Sequence, residues 1–150
     1  HKIVWLPDGS RRVRRNMGDE GAELHLGGPE EMVGQRIIRW LREEARTLFA
    51  QDLQDYCDKA GEIAPSLSVG DPRSRWGSCS SRGTISLSWR LVMAPPFVRR
   101  SVVAHEVAHM RHMDHSPAFY DWFEALYEGD RKTADQWLKM HGPALHFVGR

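Results

Sequence analysis

No other stretch of this chain narrows its possible folds as far as Val103 to Pro117, which reads V-A-H-E-V-A-H-M-R-H-M-D-H-S-P. His105, Glu106 and His109 stand in it in the order H-E-x-x-H. Residues four apart on a helix lie one turn above each other on the same face. A helix here therefore lets His105 and His109 offer two imidazole nitrogens to one metal ion. Glu106 falls about 100° round that helix, beside the metal and not on it, where a carboxylate can take a proton from water. Zinc with three protein ligands and one open position lowers the pKa of its water to about 7, and the Glu of such a motif is the general base. Val103, Val107 and Met110 are expected to pack inward on a face distinct from the two histidines.

A third ligand is required. His112 continues the stripe, but lies about 10 Å along the axis from His105 at 1.5 Å per residue, too far for one ion to be held by both ends. His115 is better placed. Asp114 and Ser116-Pro117 predict that the helix stops near Met113, so that the chain can bend and return His115 to the metal. Ser-Pro also reads as N-cap and first residue of the next helix. The spacing H-E-x-x-H-x-x-H-x-x-H is that of the metzincin pattern, but His112 replaces its Gly, so the chain is not assigned there. Glu128 on the following helix is the other contender. His115 is favoured over it on geometry, and His112 reads as a neighbour of the site or a surface residue.

The 150 residues suit a single domain, 1–150, able to bury a core without staples. A formal charge of +1 carries no global signal for nucleic acid or membrane. The two cysteines, Cys57 and Cys79, form no disulfide framework and no C-x-x-C pair, which fits a reducing compartment and a cytoplasmic location. No apolar run approaches membrane-spanning length and no signal peptide is visible.

Residues 1–28 read as a short β region. Ile3-Val4-Trp5 and Glu23 to Leu26 are strand candidates, Pro7-Asp8-Gly9-Ser10 has turn chemistry, and Arg11, Arg12, Arg14 and Arg15 form a basic run. That run reads as a solvated strand or loop, with phosphate binding as the sharper alternative. Residues 29–61 predict a long amphipathic helix opened by Pro29, with Val33, Ile37, Leu41, Ala45, Leu48, Phe49, Leu53 and Tyr56 on its apolar stripe and Gly61 as the residue after its end. Residues 65–92 read as a small sheet: Ser66 to Val69, Arg73 to Ser80, a turn at Ser81-Arg82-Gly83, and Thr84 to Trp89 with Ile85 and Leu87 facing the core. A strand beside a zinc helix is a natural edge for an extended peptide, whose backbone can pair with its free N–H and C=O groups. Residues 95–142 hold the catalytic helix from Pro95-Pro96 to about Met113, a helix from Ser116-Pro117 to Glu128, and a last helix capped by Asp130 and ended by Gly142-Pro143. The tail from Ala144 to Arg150 is expected to be irregular.

Three runs, R-S-R-W-G-S-C-S at 73–80, I-S-L-S-W-R-L-V-M-A-P-P at 85–96 and V-A-H-E-V-A-H-M-R-H-M-D-H-S-P-A-F at 103–119, resemble the YgjP-like metallopeptidase-domain family, relatives of the SprT-like and WLM proteases. The resemblance is strong over about half the chain and only an outline over the first 70 residues. It implies an α+β, compact zincin-like fold, in which a small, mostly antiparallel sheet packs on a long backing helix and is followed by the H-E-x-x-H helix. It also implies His115 as the third ligand. Ser88 stands where the family commonly has Asn before Trp-Arg; if that side chain caps a turn or touches substrate, the contact is altered here.

The leading expectation is a zinc metallopeptidase, with one Zn2+ on His105, His109 and His115, Glu106 as general base, and a peptide or protein as substrate. The oxyanion formed at a carbonyl needs a further partner. Arg75, Arg90 and Tyr120 are candidates, each set against a structural reading as a packed Arg stem or Tyr ring. Trp76 and Trp89 are expected to pack the sheet against the catalytic helix, and Cys79 to be a small buried residue. A second enzyme reading is hydrolysis of a nucleoside triphosphate, since some members of the family carry the name UTP pyrophosphatase; Arg11 to Arg15, or Arg73 and Arg75, would then grip phosphates. A third is a non-catalytic, zinc-stabilised interaction domain, with DNA-associated protein partners suggested by analogy with SprT-like proteins. Glu106 argues against it, because a structural metal site has no use for a base.

Overall fold

A computed structural model describes residues 2–149. The expected N-terminal β region therefore begins one residue earlier than the described chain, and the last residue of the expected tail lies outside it. Contacts divide the described residues into two compact units, residues 2–41 with Gly149, and residues 42–148.

In the first unit β1 (Lys2–Trp5), β2 (Arg14–Gly18) and β3 (Gly21–Leu26) form a sheet of order β1-β3-β2. β2 and β3 are antiparallel, joined through the Gly18–Gly21 pair, while β1 runs parallel to β3. Gly21 has φ +122°, a region open to glycine at no steric cost. Leu24 and Leu26 are the buried side of β3. The basic run, expected as a solvated strand or loop, is in part strand β2, and Arg15 lays its guanidinium 5.0 Å from the Trp40 ring centroid.

A short 3₁₀ turn at Glu30–Met32 leads into α1 (Val33–Ala60). Of its predicted stripe, Ile37, Leu41, Ala45, Phe49, Leu53 and Tyr56 are buried, with Cys57 beside them, while Val33 and Leu48 are half-buried. The helix stops at Gly61, φ +72°. There Glu62 N–H donates to the Cys57 carbonyl at 2.9 Å and Gly61 N–H to that of Asp58 at 3.3 Å, the paired bonds of a Schellman end.

The second unit holds β4 (Ser66–Gly70), β5 (Gly77–Cys79) and β6 (Thr84–Ser88), in the order β4-β6-β5. β5 pairs antiparallel with β6 across a turn at Gly83, φ +88°, and β4 pairs parallel with β6. The expected mostly antiparallel sheet is thus corrected in detail: each three-stranded sheet has one parallel and one antiparallel pair. Parallel partners need a crossover, and strands separated by a long connection give no hairpin signal to read. Ile85 and Leu87 face the core as predicted. Ser88 is buried, and its Oγ accepts from Arg90 N–H at 3.2 Å to cap a 3₁₀ turn over Trp89–Met93.

The remaining helices are α2 (Pro96–His109), α3 (Pro117–Leu126) and α4 (Arg131–Phe147). α2 is shorter than the expected Met113. Its end tightens, with Met110 and Arg111 N–H donating to Val107 and Ala108 carbonyls three residues back at 3.0 and 3.2 Å. Ser116 caps α3, accepting from Phe119 N–H at 3.3 Å, and Asp130 caps α4, accepting from Lys132 N–H at 3.1 Å, both as read from the sequence. α4 does not end at Gly142-Pro143. It continues to Phe147, correcting the expected irregular tail as far as that residue. Tertiary contacts override the local breakers. A Cβ at Gly142 would come 2.9 Å from Trp76 Cζ2, so glycine is what lets the helix approach that ring. The Leu145 and Val148 carbonyls, at the helix end, accept from the buried Arg90 at 2.7 and 2.6 Å.

The core of this unit gathers Phe49, Leu53, Tyr56, Ile85, Leu87, Trp89, Val103, Val107, Phe119 and Leu126, all almost fully buried. Asp52, also buried, is bound by Arg99 and Arg100 from α2 at 2.6 and 3.0 Å, which ties α1 to the start of the histidine helix. Among the described residues no helix is long and apolar enough to cross a membrane.

Candidate metal centre

α2 sets His105 and His109 one turn apart, and the bend after it returns His115. The ring centroids of His105, His109 and His115 lie 4.7, 5.4 and 4.8 Å from one another. One nitrogen from each falls within 4.8 Å of the others. Zn–N bonds of about 2.0–2.1 Å in a tetrahedron put such nitrogens roughly 3.4 Å apart, so small ring shifts close the set on one ion. Three imidazoles with no acidic member are a donor set that suits zinc, and the residues present fit the metal.

The rings are held by their neighbours. His109 Nδ1 lies 2.9 Å from the His112 carbonyl. A carbonyl can only accept, so Nδ1 carries the proton and Nε2 keeps the lone pair. His105 Nδ1 lies 3.1 Å from Glu106 Oε2, which fixes that ring in the same sense. Burial, chiefly, and then the neighbouring His105 and His115 push the His109 pKa down, against the bond to His112; the ring is kept neutral, as ligation requires. Phe119, one turn after His115, is fully buried and touches all three rings. It stacks on His109 at 4.3 Å and meets His105 and His115 edge-on at 5.0 and 5.2 Å.

Glu106 is 4 % exposed. Strand β5 passes directly over it: a Cβ at Gly77 would lie 3.1 Å from Glu106 Cγ and Oε2. Ser88 N–H donates to the Trp76 carbonyl and Ser80 N–H to that of Thr84, at 2.9 Å each. An antiparallel ladder alternates its bonding residues, so Gly77 and Cys79 turn their own N–H and C=O groups to the free edge of the sheet. A cleft of about 290 Å³ opens beside His105 and Glu106, bounded by Trp76, Val102, Tyr120, Phe123 and Leu138.

The other candidates are scattered. Tyr120 lines the cleft, its ring 6.2 Å from that of His115, with the Arg131 guanidinium 4.4 Å over it. Arg75 lines a separate depression on the sheet with Ser68 and Ser86. Arg90 is buried and spends its donors on Asp71, at 2.7 and 3.2 Å, and on the two carbonyls at the end of α4; it lies outside the cleft lining and acts as a structural anchor. Glu128, the rival third ligand, accepts instead from Tyr56 Oη and Arg100 Nε at 2.6 Å each. His112 serves through its backbone. Cys79 is half-buried, and burial, then the Glu106 charge, push its thiol pKa up, which leaves it protonated. Neither Phe119 nor Gly77 stands out in the sequence as part of the site. Phe119 was findable as the residue four beyond His115, whereas Gly77 depends on a strand crossing that no local signal encodes.

A helix-borne H-E-x-x-H, a returning third histidine and an edge strand over the glutamate together make a candidate metal site. The profile of the YgjP-like, metallopeptidase domain family matches residues 1–141, and the chain belongs to that family. No curated protein matches it. Among solved structures, the metallopeptidase zymogen of Pyrococcus abyssi abylysin is 21 % identical at a TM-score of 0.55, over 61 % of this chain and 93 % of that one. The metallopeptidase zymogen of Methanocaldococcus jannaschii jannalysin is 13 % identical at a TM-score of 0.52, over 64 % of this chain and 96 % of that one. At these identities the likeness is one of fold, and it agrees with the α+β zincin-like architecture. The family implies a divalent metal, for which His105, His109 and His115 are the matching cluster.

Proposed function

We propose that the protein is a zinc-dependent peptidase that cleaves peptide bonds with Glu106 as general base. The observation that carries this reading is the nearly buried Glu106 carboxylate, lying between the triple-histidine cluster and the free edge of β5. When bound at His105, His109 and His115, zinc supplies a Lewis acid and a water whose pKa is about 7. The chain's own residues do the rest. An extended substrate pairs its backbone with the outward N–H and C=O groups of Gly77 and Cys79. Glu106 takes the proton of the attacking water and delivers it to the leaving amine. His112, through its carbonyl, and Phe119 hold the ligand rings in place. Tyr120 is the candidate donor to the oxyanion; its position in the cleft wall supports this choice over Arg75 and Arg90.

The cleft also favours a peptide over a nucleoside triphosphate. Arg73 and Arg75 are not among its lining residues, and the one arginine that is, Arg131, is already bonded to Glu124 at 2.8 Å. A polyphosphate would meet no free cationic cluster beside the metal. The test is Glu106→Gln against the parent, both zinc-loaded, on a mixed peptide library and a nucleoside triphosphate panel. The variant is expected to keep its zinc and its fold and to lose peptide turnover. Full peptide cleavage by Glu106→Gln would remove the mechanism, and Glu106-dependent release of pyrophosphate would replace the substrate.

A further inference from the structure

Strand β5 has two faces, and only one of them looks at the histidine cluster. Gly77 turns towards Glu106, so its neighbour Ser78 points the opposite way, because successive strand residues alternate. The register pairs Ser68 with Ser86 and Ser86 with Ser78. Three hydroxyls thus form a row across β4, β6 and β5, on strands about 4.8 Å apart. They line a depression of about 260 Å³, together with Arg75 from the segment that leads into β5. No acidic residue shares that lining. None of these four side chains has a hydrogen bond or ion pair among the described residues. The surrounding chain has no acid left to neutralise the guanidinium. Ile63 to His105 carries six arginines and one acid, Asp71. Arg90 takes Asp71, while Arg99 and Arg100 take Asp52 from α1. Arg73, Arg75 and Arg82, which flank β5, are left unpaired among the described residues.

A peptide paired with the free edge of β5 becomes a fourth strand of this sheet. Its residue opposite Ser78 shares the face of Ser78, in whichever direction the peptide runs, as directly paired residues do. That residue extends the hydroxyl row by one place, on the face that carries Arg75. Its neighbour, opposite Gly77, faces Glu106 and the histidines. We propose that Arg75, with Ser78, binds an acidic side chain of the extended substrate, on the residue next to the one that faces the metal cluster, and that Arg75 is a specificity-determining residue. The inference rests on the peptidase reading, because it takes the occupant to be part of a peptide laid along β5. A guanidinium offers a carboxylate two parallel N–H donors, and the serine hydroxyl adds a third. Glutamine at the same place keeps hydrogen bonds but brings no charge, and lysine meets a like charge.

The experiment uses the full zinc-loaded chain carrying Glu106→Gln, so that peptides are held and not cut. Its ligands are fluorescein-labelled nonapeptides in which threonine alternates with glutamate, glutamine or lysine, and anisotropy gives each Kd. The alternation puts every test side chain on one face of the paired strand, so the register need not be known. The glutamate peptide is expected to bind about three- to fivefold tighter than the glutamine peptide, and the lysine peptide more weakly than either. Adding Arg75→Gln should erase the glutamate-to-glutamine ratio. Adding Arg46→Gln, which removes the same charge from an exposed position on α1, should leave it. Raising NaCl to about 0.5 M should narrow the ratio, as screening of an exposed pair requires. Equal affinities for the glutamate and glutamine peptides, undetectable binding of all three, or a ratio that survives Arg75→Gln overturn the proposal. So does a ratio that falls equally in Arg46→Gln, which would reduce the effect to net charge. Arg75-dependent binding of inorganic phosphate by calorimetry, without discrimination among the peptides, assigns the depression to a free anion and likewise overturns it. A flat ratio alongside Glu106-dependent cleavage of a mixed peptide library removes the acidic subsite and leaves the peptidase. An Arg75-dependent ratio with no Glu106-dependent cleavage keeps the subsite and removes the peptidase.

Discussion

Gly77 stands so close to Glu106 that a Cβ on it would lie 3.1 Å from the carboxylate oxygen Oε2 and 3.0 Å from Leu87 Cδ2 on its other side. Strand and base are fitted to each other, and neither neighbour can withdraw freely, since Leu87 is buried in the core. Gly77→Ala is therefore expected to push Glu106 by a few tenths of an ångström. A misplacement of about 1 Å can cost about 100-fold in rate, so this smaller shift is expected to lower turnover about severalfold. Zinc content should change less than turnover, because the shift reaches the metal ligands only through the Glu106–His105 contact. Peptide kcat and metal analysis on the same preparation check this, and a variant with parental kcat would show that the contact is not functional.

Phe119 joins the core to the metal cluster, since its ring touches His105, His109 and His115 at once. Phe119→Ala should destabilise the protein by about 3–5 kcal/mol, the usual cost of deleting a buried phenylalanine ring. It should also weaken zinc binding by about 10- to 100-fold, as losing a residue that orients metal ligands does. Phe119→Leu refills most of the volume without the flat face. It should recover much of the stability and less of the affinity. Urea unfolding and competition with a zinc chelator separate the two effects; parallel recovery of both would reduce Phe119 to a space-filler.

What was legible in the sequence was written in local chemistry. The four-residue spacing gave the histidine helix, Ser116-Pro117 gave the start of α3 and hence the return of His115 to the cluster, and the alternation around Ile85 and Leu87 gave β6 and its core face. Even the departure at Ser88 pointed to its place, because the residue caps the turn that follows. What was not legible depends on partners distant in sequence. α4 passes through Gly142-Pro143 because Trp76 and Arg90 hold it, and neither is visible from the helix itself. The histidine helix stops at His109, not Met113, because its last turn tightens, and the His112 carbonyl is thereby brought to His109 Nδ1. Parallel pairing of β1 with β3 and of β4 with β6 follows from chain routing that leaves no periodic trace.

Arg90 is expected to matter for stability and not directly for chemistry. It is 2 % exposed, forks onto Asp71, and satisfies two carbonyls at the end of α4. Removing one partner of a buried ion pair costs about 3–5 kcal/mol, so Arg90→Ala should lower the thermal midpoint markedly. Arg90→Lys should not restore it, because an ammonium cannot fork onto a carboxylate and reach two carbonyls at once. Scanning calorimetry of the three proteins tests this, and full rescue by lysine would mean that charge alone, not the fork, anchors the helix.

Glu128 gives the acid limb of stability a defined origin. Burial alone would raise its pKa, but hydrogen bonds from Arg100 and Tyr56 outweigh that and hold the carboxyl below its ordinary value of 4.5. The folded protein thus binds fewer protons here than the unfolded chain between the two pKa values, so stability rises with pH across that window. The contribution is complete above about pH 4.5 and is lost as pH falls through the lower, folded value. Glu128→Gln removes the titration while keeping a side chain of similar shape. It should unfold more easily than the parent at neutral pH, and the gap should close as the pH is lowered below that point. The carboxylate is half-exposed, so salt screens the pair and 1 M NaCl should narrow the neutral-pH gap. Thermal midpoints of parent and variant from pH 3 to pH 7 decide the matter: a gap that stays constant through the acid range would mean that the Arg100–Glu128–Tyr56 contact contributes packing and no linked protonation.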